Sequence, residues 1–120
     1  MVKKIIIAVI IIAVAAVVLF LLFQKPQLPS GMIFFYGDGC SHCKNVEDYI
    51  AANGVEEKVT FEKKEVFNNQ DNASALGKVA GFCGLATDKI AVPFLWDGQN
   101  QKCLVGDVDI INFFKVKING

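Results

Sequence analysis

The 120-residue sequence contains no arginine and a single histidine, His42. Beyond residue 30, nine lysines face twelve acidic residues, so this part of the chain is mildly acidic. A nucleic-acid surface needs a basic patch, and none is present, so no nucleic-acid partner is expected. No internal repeat or low-complexity tract occurs, which leaves one small domain for the length available. Prolines number only three, and two of them, Pro26 and Pro29, fall within four residues of each other.

The composition shifts near residue 24. From Ile5 to Phe23 every residue is apolar, a run of 19 that spans about 28 Å as a helix, close to the thickness of a bilayer core. A cleaved signal peptide would have a shorter apolar core followed by small residues. Ala13-Val14-Ala15 has the small residues, but apolar sequence continues behind it. An uncleaved signal anchor is the better reading. Lys3 and Lys4 flank one end and Lys25 the other, which leaves the amino terminus in the cytoplasm and the rest outside. The organisation expected is a signal anchor over 1–23, a semi-rigid linker over 24–30, about 20 Å long if extended, and a domain over 31–120.

The richest stretch is Phe34-Phe35-Tyr36-Gly37-Asp38-Gly39-Cys40-Ser41-His42-Cys43-Lys44. An apolar strand ends, a Gly-Asp-Gly turn follows, and Val46 and Ile50 continue at helical spacing. Cys40 therefore falls at a helix start, where backbone N–H groups lack internal partners and the helix dipole is positive. A thiolate is stabilised there, and Cys43 sits one turn on, within reach of a mixed disulfide on Cys40. A purely structural bond across two residues gains little stability. A metal site needs two further ligands of suitable spacing. Thiol redox chemistry needs only what is visible.

Period and punctuation give the other elements. Met32–Tyr36 is a buried strand and 40–52 a helix stopped by Asn53-Gly54. Residues 59–66 form a strand, 68–72 a polar loop, and 73–82 a helix weakened by Gly77 and Gly81. Residues 91–96 form a strand carrying Pro93, Asp97-Gly98 marks a hairpin, and 101–105 return as a strand. Asp107 is a candidate cap for a last helix with Ile110, Ile111, Phe113 and Phe114 on its apolar face.

This order, with C-S-H-C, Ala91-Val92-Pro93 and Leu104-Val105-Gly106-Asp107-Val108-Asp109 in sequence, resembles the thioredoxin superfamily and its small glutaredoxin-like members over residues 31 to 116. The resemblance implies a β-α-β-α-β-β-α fold, a mixed sheet with helices on both faces. It implies a cis Val92–Pro93 bond facing the dithiol, with the Val92 backbone pairing with substrate. Cys40 is then the nucleophile and Cys43 the resolving thiol. His42 stabilises the Cys40 thiolate, as in the C-P-H-C dithiol oxidases of the bacterial periplasm, where proline stands in place of Ser41. That arrangement makes the disulfide the stronger oxidant, while Asp38, if close, opposes it. The buried acid that thioredoxins carry six residues before the first cysteine is Phe34 here. Tyr36, Gly106 and Asp109 are candidate substrate contacts. Val105 and Val108 replace half of the glutathione-binding Gly-Gly and Asp-Asp pairs, so no cofactor is expected beyond the Cys40–Cys43 disulfide, with glutathione the alternative.

Cys83 and Cys103 are left over. In the resembled fold the second helix and the fourth strand are expected to end at the pole that carries the dithiol, where the two cysteines can meet. Closing their loop of about 20 residues is worth roughly 3 kcal/mol. A structural disulfide, a second redox couple and two free buried thiols all remain open. The reading as a whole is a membrane-anchored, extracytoplasmic thiol–disulfide oxidoreductase acting on cysteines of other proteins and served by a redox partner protein. The alternatives are a cytoplasm-facing glutaredoxin-like reductase and a Cu or Zn thiolate carrier.

Overall fold

The computed structural model describes all residues except Pro26, Thr87 and Lys89. Helix α1 covers Val2–Leu22 and buries none of its residues. It is long and apolar enough to cross a bilayer, a property that signal sequences share.

Four strands follow: β1 (Met32–Tyr36), β2 (Glu62–Glu65), β3 (Phe94–Asp97) and β4 (Lys102–Val105). They form one mixed sheet in the order β2-β1-β3-β4. Strand β1 is parallel to β2 and antiparallel to β3, and β3 is antiparallel to β4. The two central strands are apolar without alternation because both of their faces are covered. On one face Ile33, Phe35, Phe94 and Trp96 meet Leu76, Val79 and Ala80 of α4 (Gln70–Phe82). On the other, Phe34 and Leu95 meet Val46 and Ile50 of α2 (Ser41–Asn53) and Ile110 and Phe114 of α5 (Asp107–Asn119). The short α3 (Val55–Lys58) adds Val55 to that second cluster.

Several boundaries differ from those read in the sequence, each for a local reason. Gly54 closes α2 and opens α3, so Val59 caps a helix instead of starting a strand. Strand β2 is then only Glu-Lys-Lys-Glu, a charged edge strand paired on one side, which is a common protection of an open edge. The Asn69 side chain accepts a hydrogen bond from the Asn72 N–H (3.0 Å), so α4 begins at Gln70, inside the stretch expected as loop. Strand β3 begins only after Pro93, which has no N–H to give to a ladder. The hairpin at Asp97-Gly98 is present, but its loop runs to Gln101. Buried Asp97 accepts from the backbone N–H groups of Gln99 and Asn100 and from the Asn100 amide (2.7 Å). Asp107 does not cap α5. Gly106 occupies the cap position and Asp107 is the first helical residue.

The end of the expected linker packs onto the domain. Leu28 lies against the cluster around Trp96, whose indole N–H donates to the Pro29 carbonyl (2.8 Å). The Gly98 N–H donates to the Gly31 carbonyl (3.1 Å), and a Cβ at Gly98 would collide with the Pro29 and Gly31 carbonyl oxygens. The chain thus enters the sheet at the Met32–Asp97 end, opposite the end of β1 that leads into the cysteines. Because these obstacles are backbone atoms, Gly98→Ala is expected to lower stability by about 1–3 kcal/mol in urea unfolding. An unchanged midpoint would mean that the 28–31 segment is not held against the hairpin.

Candidate active site

Strand directions assemble the site. Strands β1, β2 and β4 point the same way, and each is followed by a helix, so α2, α4 and α5 all begin at one pole. That pole gathers unpaired backbone N–H groups and the positive ends of three dipoles.

Strand β1 leaves the sheet at Tyr36 and turns over Gly37 to Cys40. The Cys40 N–H donates to the Gly37 carbonyl (3.1 Å), and Gly39 takes φ +77°, a conformation that residues with a side chain rarely adopt. Cys40 is the N-cap of α2, and its sulfur accepts a hydrogen bond from the Cys43 N–H at 3.2 Å. Cys40 and Cys43 are joined as a disulfide with Cα atoms 5.2 Å apart, so the Cys40 sulfur seen here stands in for the thiolate of the reduced form. Cys43 is fully buried, whereas Cys40 is partly exposed. Attack from solvent therefore meets Cys40 first. Beside it runs an open groove of about 630 Å³ lined by residues including Tyr36, Asp38, Ser41, Lys44 and Glu47.

The far wall comes from the segment before β3. The Val92–Pro93 bond is cis, and the Val92 carbonyl oxygen lies 3.8 Å from the Cys40 sulfur. The Gly106 N–H donates to the Pro93 carbonyl (3.0 Å), tying the start of α5 to the same wall. Val92 thus lies against the Cys40 sulfur, Tyr36 lines the groove with Cys40, and Gly106 is joined to the wall through Pro93. Asp109 is exposed in the first turn of α5, and the carboxylate that reaches the dithiol helix is Asp107.

His42 is largely exposed, and its Nδ1 lies 3.0 Å from Asp107 Oδ2. The Asn45 amide donates to the same oxygen at 2.7 Å, and the Val108 N–H donates to Oδ1 at 3.0 Å. The bond from Asn45, then that from His42, holds the Asp107 carboxyl down at about 2 against partial desolvation. The histidine ring is thus engaged by the Asp107 carboxylate. Lys44 is likewise occupied, donating to both Asp48 oxygens at 2.8 Å, and these bonds and the Asp48 charge raise its pKa. The Asp38 carboxylate accepts from the Asn68 amide (3.3 Å). Asn45 was not singled out from sequence, and Asp107 was expected only as a cap for the last helix, not as a partner of His42. The available signal was strand direction, which brings the start of α5 beside the start of α2.

Cys83 and Cys103 are bonded to each other, with Cα atoms 6.3 Å apart. Their meeting place differs from the one expected. Helix α4 starts at the dithiol pole and runs away from it, so Cys83, at its C-terminal cap, is carried toward the opposite end. Cys103 pairs with Trp96, which pairs with Ile33 near the start of β1. Among the described residues, no three His, Cys, Asp or Glu side chains come together as a metal ligand set.

No protein-family model matches the chain, and no curated protein matches it.

The Asp107 contacts have a pH signature. Its folded pKa, about 2, lies below the ordinary 3.8. A depressed carboxyl stabilises the fold above its unfolded value, and that contribution is lost as pH falls from about 3.8 toward about 2. Unfolding midpoints of the wild type should fall more steeply across this window than those of Asp107→Asn. Equal slopes would show that His42 and Asn45 do not hold Asp107 in solution.

Proposed function

We propose that this chain is a membrane-anchored thiol–disulfide oxidoreductase of thioredoxin-like fold that exchanges disulfides with cysteines of other proteins. The observation that carries the reading is the Cys40 sulfur at the start of α2, partly exposed and bonded by the Cys43 N–H, with Cys43 buried directly behind it. A nucleophile needs exposure and anion stabilisation, and a resolving thiol needs proximity and shielding. The β2-β1-β3-β4 order and the apposition of Val92–Pro93 to the dithiol support the fold assignment. The openness of the groove favours an extended protein segment over an enclosed small molecule.

In the reducing direction the Cys40 thiolate attacks one sulfur of a substrate disulfide. A Cys40–substrate bond forms, the substrate S–S bond breaks, and the departing thiolate takes a proton. The Cys43 thiolate then attacks the Cys40 sulfur, closing the Cys40–Cys43 disulfide and releasing the second substrate thiol. Two electrons pass from dithiol to substrate. In the oxidising direction the same steps run in reverse, and a redox partner protein resets the pair. Phe34, fully buried at the position where a proton-accepting acid would stand, provides no carboxylate to activate Cys43. This favours oxidation or isomerisation of substrates.

The anchor is α1, with Lys3 and Lys4 at the cytoplasmic side and the domain outside. The Cys83–Cys103 bond supports that placement, because such bonds persist in oxidising compartments. Its distance from the dithiol pole supports a structural role.

Two experiments test the proposal. Cys43→Ser should accumulate a mixed disulfide between Cys40 and a protein substrate, whereas Cys40→Ser should accumulate none. Equal trapping by both variants, or none by either, would contradict the assigned roles. On intact cells, a membrane-impermeant thiol reagent applied after reduction should label the domain. Labelling only after lysis would put it in the cytoplasm and favour a glutaredoxin-like reductase.

A further inference from the structure

Glu65 closes β2 and pairs in register with Tyr36, the last residue before the turn to Cys40. Its side chain does not seek solvent or a lysine. Oε1 accepts from the backbone N–H groups of Phe67 (2.6 Å), Asp38 (3.3 Å) and Asn68 (3.3 Å), and Oε2 accepts from Asn68 at 2.9 Å. Two loops that meet only at this pole are thereby joined through one carboxylate. Three further contacts tighten the joint. The Asn68 amide bonds the Asp38 carboxylate, the Val66 N–H donates to the Tyr36 carbonyl (2.9 Å), and the Phe67 ring lies so close over Gly37 that a Cβ there would collide with it. Gly37 in turn accepts the Cys40 N–H.

We propose that Glu65 is a positioning residue for Cys40: by holding the Asp38 N–H and the Phe67–Asn68 backbone on one carboxylate, it fixes the Gly37–Cys40 turn so that the Cys40 sulfur stays aligned with the Cys43 N–H. The inference rests on Cys40 as the nucleophile. Glu65 touches neither sulfur and acts through the turn. Desolvation pushes the Glu65 pKa up, but the backbone donors Asn68, Phe67 and Asp38 outweigh it, and the net displacement is downward. The clamp is therefore ionised at neutral pH.

Charge and reach predict opposite signs, which makes the role testable. A negative charge near Cys40 disfavours the thiolate, so deleting it lowers the pH midpoint of Cys40 alkylation. Loosening the turn removes an N–H from the thiolate and raises that midpoint. Glu65→Asp keeps the charge and loses the reach. Glu65→Gln loses the charge, keeps an oxygen where Oε1 accepts all three N–H groups, and gives up only the second bond to Asn68, which Oε2 accepts. Glu62→Gln makes the same charge change at the exposed start of β2.

The measurement is the pH dependence of Cys40 alkylation in the reduced full-length protein, with the rate of exchange against a small aromatic disulfide. Glu65→Asp should raise the midpoint by about one unit, a tenfold change in the thiol–thiolate equilibrium, and slow exchange about threefold at pH values below the wild-type midpoint, because the scarcer thiolate is also the better nucleophile. Glu65→Gln should leave the midpoint unchanged or lower, and Glu62→Gln should move neither readout. A Glu65→Asp midpoint equal to or below that of the wild type overturns the positioning role. So does a Glu65→Gln midpoint raised as far as that of Glu65→Asp. A wild-type midpoint at that of free cysteine, about 8.5, overturns both this role and the functional reading. A lowered wild-type midpoint with an inert Glu65→Asp overturns the role of Glu65 alone.

Discussion

The hydrogen bond from the Cys43 N–H to the Cys40 sulfur is the contact on which the rest of the site depends. An unpaired helix N–H needs an acceptor, and serine, threonine, aspartate or asparagine usually supplies it. Here a sulfur does. The helix gains a cap, and the sulfur gains a donor that binds it more strongly as an anion than as a thiol. Local helix stability and thiol reactivity are thus served by one contact. Burial of Cys43, Val46 and Ile50 on the same helix fixes the orientation of α2, and the partly exposed Cys40 is the result.

The other elements supply what a single helix start lacks. Parallel alignment of β1, β2 and β4 brings three helix starts to one pole, and the chain uses the loops there as a frame. From the β2 side, Glu65 and Asn68 hold the turn before Cys40. From the α5 side, Asp107 holds His42 and Asn45 on the first turns of α2. The segment before β3 brings Val92 against the sulfur itself. The 28–31 segment and the Cys83–Cys103 bond lie toward the opposite end, where they brace the sheet without crowding the dithiol.

Much of the architecture was legible in the sequence because it rests on short-range signals. The apolar run of β1, the spacing of Val46 and Ile50 and the Asp97-Gly98 turn each declare themselves within a few residues. Strand β2 was blurred because an edge strand of Glu-Lys-Lys-Glu has no apolar alternation, and α3 was missed because four residues carry no period. The start of α4 was hidden in a polar stretch where Asn69 is a cap and its neighbours are not. The frame around Cys40 was the least legible part. His42 and Asp107 are 65 residues apart, and Asp38 and Glu65 are 27 apart. His42, Asp38 and Asp107 stood out for their place beside the cysteines or at a helix start, but no pattern linked them to distant partners, and Glu65 carried no signal of its own. The cysteines were the opposite case. Their chemistry marked them at once, but the pole at which Cys83 meets Cys103 depended on the direction of α4, which periodicity does not give.

If the helix start stabilises the Cys40 thiolate, the dithiol is favoured and the Cys40–Cys43 disulfide is easily reduced. The direct measurement is the equilibrium reduction potential of this pair in the full-length protein, read by mass spectrometry with Cys83 and Cys103 intact. The account predicts a value between about −120 and −270 mV, within the span of thiol–disulfide exchange proteins. A potential below about −300 mV, where structural disulfides lie, would contradict it.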